Sequence, residues 1–519
     1  MLPKPSINQL AYHKEELAAF IHFGINTYTG VEWGDKGPYD LNLFNPTDLD
    51  TDQWIRVLKE TGFKRVILTV KHHDGFVLYP SKYTDYTIAN SACQVDLLEE
   101  ISKSVSKYDM GLGLYLSPWD AHDKRYSRET QDEYNAYYAL QLEEILSNPK
   151  YGNKGKFVEV WMDGAHGYGA KHVTYDFDKW FAVIRKYQGD INIFSTKPTS
   201  VRWIGNEAGI AGDPLWQKVS KDIIEKETYP VPINEYLNHG DIAGDMYSIG
   251  ECDVSIRSGW FYGDGSGLKP LDQLLDIYFN SVGKGAPLLL NIPPNKKGRF
   301  DDDYVKRLYD FHDVINTMYK NNLNKKIKAV NFPQQLLQKD NQQPQSVDIN
   351  QSLEISFETE QEFDVINIQE AIAFGQSVKS FKVEIEYNHQ WKQIAQGSTI
   401  GFRRLLRIPK VKTRKIRITI LEALSDAKLK CISIHKLPKA HELKSDLPLG
   451  MSAISFAVFN QETDHFWLDI VASDFYLLQK NQEMTLKIDQ KEVLKIEEPI
   501  THVSIASFDK HHIWVDKEI

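Results

Sequence analysis

Over residues 1–322, short apolar runs alternate with stretches whose apolar residues recur every three or four positions. The runs are FIHFGI at 20–25, RVILTV at 65–70, GLGLYLS at 111–117, FVEVWMDG at 157–164, INIFS at 191–195, VRWIGNEAG at 201–209, DMYSIGE at 245–251 and APLLLNIP at 286–293. Continuous apolar runs of this length predict strands of a buried parallel sheet, and the periodic stretches predict the helices that cover it. Residues 51–61 place Trp54, Val57 and Leu58 on one helical face; residues 95–108 do so with Leu97, Leu98, Ile101 and Val105. Residues 271–282, with Leu274, Leu275, Tyr278 and Val282, pack outside the sheet, and 301–319 reads as a closing helix. Eight strand candidates predict an α/β fold of (β/α)8-barrel type. A doubly wound sheet is the alternative, but no GxGxxG turn follows the first strand.

The period changes after Asn321. The segment NNLNKKIKAVNFPQQLLQKDNQQPQ has little pattern and reads as a linker or long loop. Beyond it the apolar residues alternate: Leu353, Ile355 and Phe357, then Phe381, Val383, Ile385 and Tyr387, then Ile416, Ile418 and Ile420. That alternation predicts antiparallel strands covered on one side, hence a β-sandwich. The short runs ISFAVF, FWLDIV and MTLKI near the C-terminus predict a small separate β unit. The expected domains are a barrel at 1–322, a β-sandwich at 323–438 and a small β-rich unit at 439–519.

Length and charge narrow the function classes. A chain of 519 residues exceeds one ordinary core, and 42% hydrophobic with 25% charged residues is the balance of a globular protein. The net charge of −10 speaks against a nucleic-acid footprint, and the one basic run, residues 410–417, alternates with apolar residues as a solvated strand face. No run of 18 apolar residues occurs, so no membrane span is expected. The N-terminus shows no secretory leader, which gives a cytoplasmic expectation, or a secreted protein if a leader has been trimmed. Cys93, Cys252 and Cys431 are odd in number and far apart, against a disulfide framework or a CxxC metal site.

In a (β/α)8 barrel, reactive groups gather at the C-terminal ends of the strands. That rule selects His22, then His72 and His73, then Tyr115 with Trp119 and Asp120, then Trp161 with Asp163, and then Glu207. Asp163-Gly164 alone is equally an ordinary turn, and Glu207 alone is more simply a surface carboxylate. Together they supply the two carboxyl groups that glycoside hydrolysis needs, one to attack the anomeric carbon and one to protonate the leaving oxygen. Apolar walls such as Trp203 and Trp216 are expected to raise the acid's pKa. HHDGF at 72–76 invites a zinc reading, but adjacent strand residues point to opposite faces, and no metal or other cofactor is expected.

The blocks AAFIHFGINTYTGVEWG (18–34), HHDGF (72–76), GLYLSPWD (113–120), VWMDG (160–164) and LLLNIPPNKKGRF (288–300), in this order, resemble the α-L-fucosidases of glycoside hydrolase family 29. The resemblance implies an exo-acting, retaining enzyme on terminal α-L-fucose, with a fucosylated oligosaccharide or glycoconjugate as its partner. Asp163 matches the family's nucleophile. Glu207, in its NEAG setting 44 residues on (207 minus 163), resembles the acid/base of the branch that prefers α-1,3- and α-1,4-linked fucose in Lewis-type glycans. His22, Trp33, His72, His73, Tyr115 and Trp161 correspond to the pocket that holds fucose. Trp260, on a glycine-rich loop, either shapes the neighbouring sugar site or packs the loop. The β-sandwich resembles the discoidin-like modules of the family. The alternatives are a fucosidase for α-1,2 or α-1,6 linkages, a non-catalytic carbohydrate-binding barrel, and a metal-dependent hydrolase.

Overall fold

The computed structural model describes residues 2–441 except 35, 167–172, 264–266 and 340, and beyond them the backbone of seven strands between 452 and 518. Eight parallel strands close into a barrel: β1 (Leu17–Ile21), β2 (Arg65–Lys71), β3 (Gly111–Leu116), β4 (Glu159–Trp161), β5 (Asn192–Phe194), β6 (Val201–Trp203), β7 (Ile249–Ser255) and β8 (Leu288–Asn291). β8 pairs with both β7 and β1, which completes the ring. The predicted helices lie at Thr51–Glu60, Leu97–Tyr108, Leu271–Asn280 and Asp302–Lys320. Asp50 and Asp96 cap the first two by accepting from the backbone N–H of Gln53 and Glu99, and Trp54, Leu58, Leu98 and Ile101 are buried beneath them.

The seventh strand departs from its expected position. Met246–Tyr247, at the start of the expected run, pairs antiparallel with Lys218–Val219 as a ribbon, and the barrel strand begins only at Ile249. β5 and β6 are joined by six residues with no helix, whereas the 45 residues between β6 and β7 hold that ribbon and the short helices Lys221–Lys226 and Ile233–His239. The loops are therefore unequal around the mouth, and the longest carries Glu207.

The end of the barrel away from the C-terminal loops is held by charge. Helix α1 (Ile7–Glu15) precedes β1 and sends Tyr12 inward, where the Arg65 guanidinium lies 3.6 Å from the ring centroid. Arg65 is fully buried; its Nη2 donates to Glu251 at 2.8 Å, its Nη1 to Glu15 at 2.5 Å, and its Nε lies 3.4 Å from Glu159. Tyr12 donates to Glu159 at 3.0 Å and contacts Glu251. Burial pushes the Glu159 carboxyl up to about 8, and the Glu251 charge adds to this while Arg65 opposes it.

The chain forms two compact units that divide at Asp313/Val314, inside the Asp302–Lys320 helix and ahead of the expected boundary at 322; Gly212–Leu215 belongs to the second unit. In that unit seven antiparallel strands are hydrogen-bonded as one continuous sheet, in which Ser352–Glu370 and Arg404–Ala423 are long enough to take different partners in their two halves. Leu353, Ile355, Phe357, Phe381, Val383, Ile385, Ile416, Ile418 and Ile420 are buried as the alternation predicts, but Tyr387 is exposed. The expected linker also packs. It forms strand Ile327–Val330 and buries Phe332 and Leu336 in the same core. The basic run is neutralised across strands, Lys415 to Glu386 at 2.8 Å and Arg417 to Glu384 at 2.9 Å. Nearer the C-terminus, Ser452–Phe459, His465–Ala472, His502–Ser507 and Lys517–Glu518 form one antiparallel sheet, and Phe475–Lys480, Glu483–Ile488 and Lys491–Ile496 another.

Two outcomes test the buried cluster. Arg65→Met strands the acidic groups and is expected to cost ~3–5 kcal/mol in chemical denaturation. Because the Glu159 pKa is raised on folding, the folded state holds a proton that the unfolded chain releases, so stability falls as pH rises towards 8. The thermal midpoint of the wild type should fall from pH 6 to pH 9, and Glu159→Gln should flatten that slope; an unchanged slope would show that the proton resides elsewhere.

Candidate active site

The C-terminal ends of the strands enclose a cavity of about 690 Å³, lined by Phe20, His22, Trp33, His72, His73, Trp161, Asp163, Glu207, Asp253 and Trp260 among others. Of the residues singled out from the sequence, Tyr115, Trp119, Asp120 and Trp216 do not line it, and the others do. Tyr115 has no exposed surface and does not line the cavity. It sits behind Asp163, to which its hydroxyl donates at 2.9 Å, and its ring stacks on Trp161 at 5.2 Å.

Asp163 stands two residues past the end of β4. Oδ2 accepts from Tyr115, and Oδ1 accepts from the Ala165 backbone N–H at 2.7 Å, so both oxygens are held from behind. Gly164 is required here for closeness rather than for an unusual dihedral angle: a Cβ would lie 2.5 Å from Thr196 Cγ2. His73 Nε2 stands 3.8 Å from Asp163 Oδ2. Its other nitrogen lies 2.7 Å from Ser117 Oγ, and Ser117 donates to the Trp119 carbonyl at 2.7 Å. A carbonyl only accepts, so the Ser117 hydroxyl proton is committed and His73 must donate from Nδ1. Its Nε2 then carries the lone pair on the Asp163 side.

Burial favours the neutral form of all three pocket histidines. Burial pushes His22 down to about 3, and it lowers His72 and His73 too, with the Asp163 charge partly opposing it at His73. His72 stacks on Tyr115, 5.6 Å apart and 8° from parallel. Trp161 packs face to face on Phe194 at 3.8 Å, and its indole N–H donates to Glu251 at 3.1 Å. The pocket wall is in this way fastened to the buried charge cluster. Trp33 closes another side, edge-on to Trp119 at 5.7 Å.

Glu207 sits on the loop after β6, exposed at the mouth. Gly209 (φ +73°) seats this loop on β7 and the Leu271–Asn280 helix, since a Cβ would meet Val254 and Ile277 at 2.8 Å. The carboxyl pKa is raised, chiefly by desolvation and further by the Asp163 and Glu32 charges, while the hydrogen bond from Trp260 Nε1 at 3.2 Å opposes this. Of the two walls expected around this carboxyl, Trp203 lines the cavity; Trp216 is buried and does not. Trp260, which lines the cavity, meets the carboxyl with its polar N–H.

Several site residues were not among the sequence candidates. Asp253 on β7 is buried, lines the cavity and accepts from Trp203 Nε1 at 3.1 Å; burial, with the Glu207 charge next, holds its pKa well above the carboxylate range. Glu32 accepts from the Trp260 backbone N–H at 2.7 Å. The signal for Asp253 was its spacing: Glu251, Asp253 and Ser255 alternate along β7 and so share one face. Among the described residues, no group of three His, Cys, Asp or Glu side chains is arranged to hold a metal ion, and no helix is long and apolar enough to cross a membrane.

A closed parallel barrel with two carboxyl-bearing loops facing across an aromatic and imidazole pocket defines the class as a barrel glycoside hydrolase. The family profile described as Alpha-L-fucosidase matches residues 10–318. The chain is 38% identical over 456 residues to Alpha-L-fucosidase 1 of Arabidopsis thaliana, covering 84% of this chain and 88% of that protein. Its fold is similar to the crystal structure of SpGH29 (TM-score 0.80, 48% identity, 84% of this chain and 99% of that one). It is also similar to a family 29 fucosidase of Ruminococcus gnavus in complex with fucose (TM-score 0.78, 37% identity, 85% and 97%). The chain belongs to the α-L-fucosidase family, glycoside hydrolase family 29.

The support behind Asp163 can be probed directly. Tyr115→Phe removes one of its two hydrogen bonds, and a bond to a charged group is worth ~1.5–3 kcal/mol, so fucoside hydrolysis should fall ~10- to 100-fold. The thermal midpoint should barely move; full activity in the variant would show that the phenol does not support the carboxylate.

Proposed function

We propose that the chain is an exo-acting, retaining α-L-fucosidase that releases α-1,3- and α-1,4-linked fucose from branched, Lewis-type glycans. Asp163 is the nucleophile and Glu207 the acid/base. The observation that carries this reading is the unlike treatment of the two carboxyls. Asp163 accepts two hydrogen bonds that hold both its oxygens in place, whereas desolvation and neighbouring charge favour the protonated form of Glu207.

In the first step Asp163 bonds to the anomeric carbon as the glycosidic bond breaks, and Glu207 passes its proton to the departing oxygen. In the second, Glu207 takes a proton from water, the water oxygen bonds to the anomeric carbon, and the Asp163 ester bond breaks. The configuration at that carbon is inverted twice and so retained. His22, His72 and His73 serve fucose hydroxyls, and Trp33 and Trp161 offer apolar faces to the ring and its methyl group. Support for a branched substrate comes from the NEAG setting of Glu207 and from the cavity, which continues past these residues to Tyr229, Ile233 and Leu237. That length leaves room beyond one monosaccharide.

The test is fucose release from a Lewis-type trisaccharide beside 2′-fucosyllactose, with EDTA present. Release from the branched sugar, retained through early time points as the α-anomer by NMR, is the expected result. Release mainly from 2′-fucosyllactose would replace the linkage assignment, and β-fucose as first product would exclude retention. Asp163→Asn should abolish turnover. Glu207→Gln should slow the trisaccharide ~100-fold or more, yet spare activated aryl fucosides and respond to azide.

The raised Glu207 pKa fixes a sign for pH dependence. The acid must be protonated to work, so kcat/KM for the trisaccharide declines above the Glu207 pKa. The Trp260 indole N–H stabilises the charged form, so Trp260→Phe should move the alkaline limb to higher pH; a downward shift would refute that contact's role.

A further inference from the structure

Asn291, the last residue of β8, is fully buried and touches both halves of the site. Its Nδ2 donates to the Trp260 carbonyl at 2.7 Å and to Ser255 Oγ at 2.9 Å, while Oδ1 lies 2.9 Å from His22 Nδ1. The Trp260 carbonyl only accepts, which settles which end of the amide is nitrogen. The other end is an acceptor, so His22 carries its proton on Nδ1. Its Nε2 is left as a lone pair on a ring that lines the cavity.

On the other side of the amide stands Trp260. Its backbone is gripped at both polar atoms, N–H by Glu32 at 2.7 Å and C=O by Asn291. Its indole N–H reaches Glu207 Oε2 at 3.2 Å, and its ring lies over His22 with centroids 5.1 Å apart. A path of three contacts therefore joins His22 to Glu207 through Asn291 and Trp260.

We propose that Asn291 is a positioning residue for both halves of the reaction: it fixes His22 as an acceptor for a fucose hydroxyl, and it holds Trp260 where the indole orients Glu207. The second half rests on Glu207 being the acid/base. The two halves have separate readouts. The His22 half governs affinity for the fucose unit itself, whatever the leaving group. The Trp260 half governs proton delivery, which matters for a sugar leaving group and little for an activated aryl one.

The experiment measures kcat/KM on a Lewis-type trisaccharide and on 2-chloro-4-nitrophenyl α-L-fucoside, with L-fucose as competitive inhibitor, in Asn291→Ala and Asn291→Asp. Loss of one buried hydrogen bond corresponds to ~10-fold, so Asn291→Ala should weaken fucose inhibition by about that factor. It should also slow the trisaccharide ~10-fold more than the aryl substrate. In a Trp260→Phe background that selective loss should vanish, because both changes break the same path. Asn291→Asp, in its ionised form, keeps an acceptor for His22 and has no hydrogen to donate to Trp260; fucose inhibition should return to within about threefold of wild type, with the selective loss persisting at pH values where the new carboxyl is ionised. It also carries the test if the alanine variant does not fold.

Unchanged fucose inhibition in Asn291→Ala overturns the His22 half. Equal loss on both substrates overturns the Trp260 half, provided Glu207→Gln, run in parallel, slows the trisaccharide selectively. If Glu207→Gln slows both substrates alike, the acid/base assignment fails and takes the Trp260 half with it; fucose inhibition then decides the His22 half alone.

Discussion

A single guanidinium inside the barrel sets terms for everything above it. Arg65 is fully buried with Glu159 and Glu251, and Tyr12 lies against it as part of the same cluster. Charges this deep are costly to desolvate, and they are tolerated only where each partner meets the next in good geometry. The α1 helix, β2, β4 and β7 must all be in register for that to happen. The cluster therefore specifies the arrangement of these elements more than it adds stability. Glu251 carries the constraint upward, since its second oxygen holds the Trp161 indole that walls the pocket.

The upper half of the barrel applies the opposite logic. There burial favours the neutral form of the imidazoles, and at His22 and His73 a neighbouring hydrogen-bond chain that ends on a backbone carbonyl fixes the tautomer. Glu207 and Asp253 stand near Asp163 and Glu32 at one mouth, and desolvation, with neighbouring carboxylate charge behind it, raises the proton affinity of Glu207 and Asp253.

The expectations drawn from pattern held where burial was uniform. Strands such as Arg65–Lys71, buried along their whole length, read as apolar runs. β7 misled for the same physical reason: it carries Glu251, Asp253 and Ser255 into the interior, so its pattern was not that of a buried strand, and the run chosen began in the neighbouring ribbon. Tyr115 lies behind the carboxylate and off the cavity wall, since a strand's alternation gives the face but not the depth at which a side chain ends. The supposed linker after Asn321 packs Phe332 and Leu336, an irregular segment whose few apolar residues are too sparse to show a period.

The sequence by itself determined the barrel, the antiparallel sheet and the strand ends at which chemistry gathers, since these follow from the period of apolar residues and the rule that loops carry reactive groups. It also determined the family, because the five motif blocks are local strings that survive without a structure. Only the tertiary structure decided which oxygen of Asp163 is held by what, which nitrogens of His22 and His73 bear protons, and that Asn291 stands between His22 and Trp260. Those facts depend on contacts between residues as far apart as 269 positions, and hydrogen-bond direction over such separations has no periodic trace along the chain.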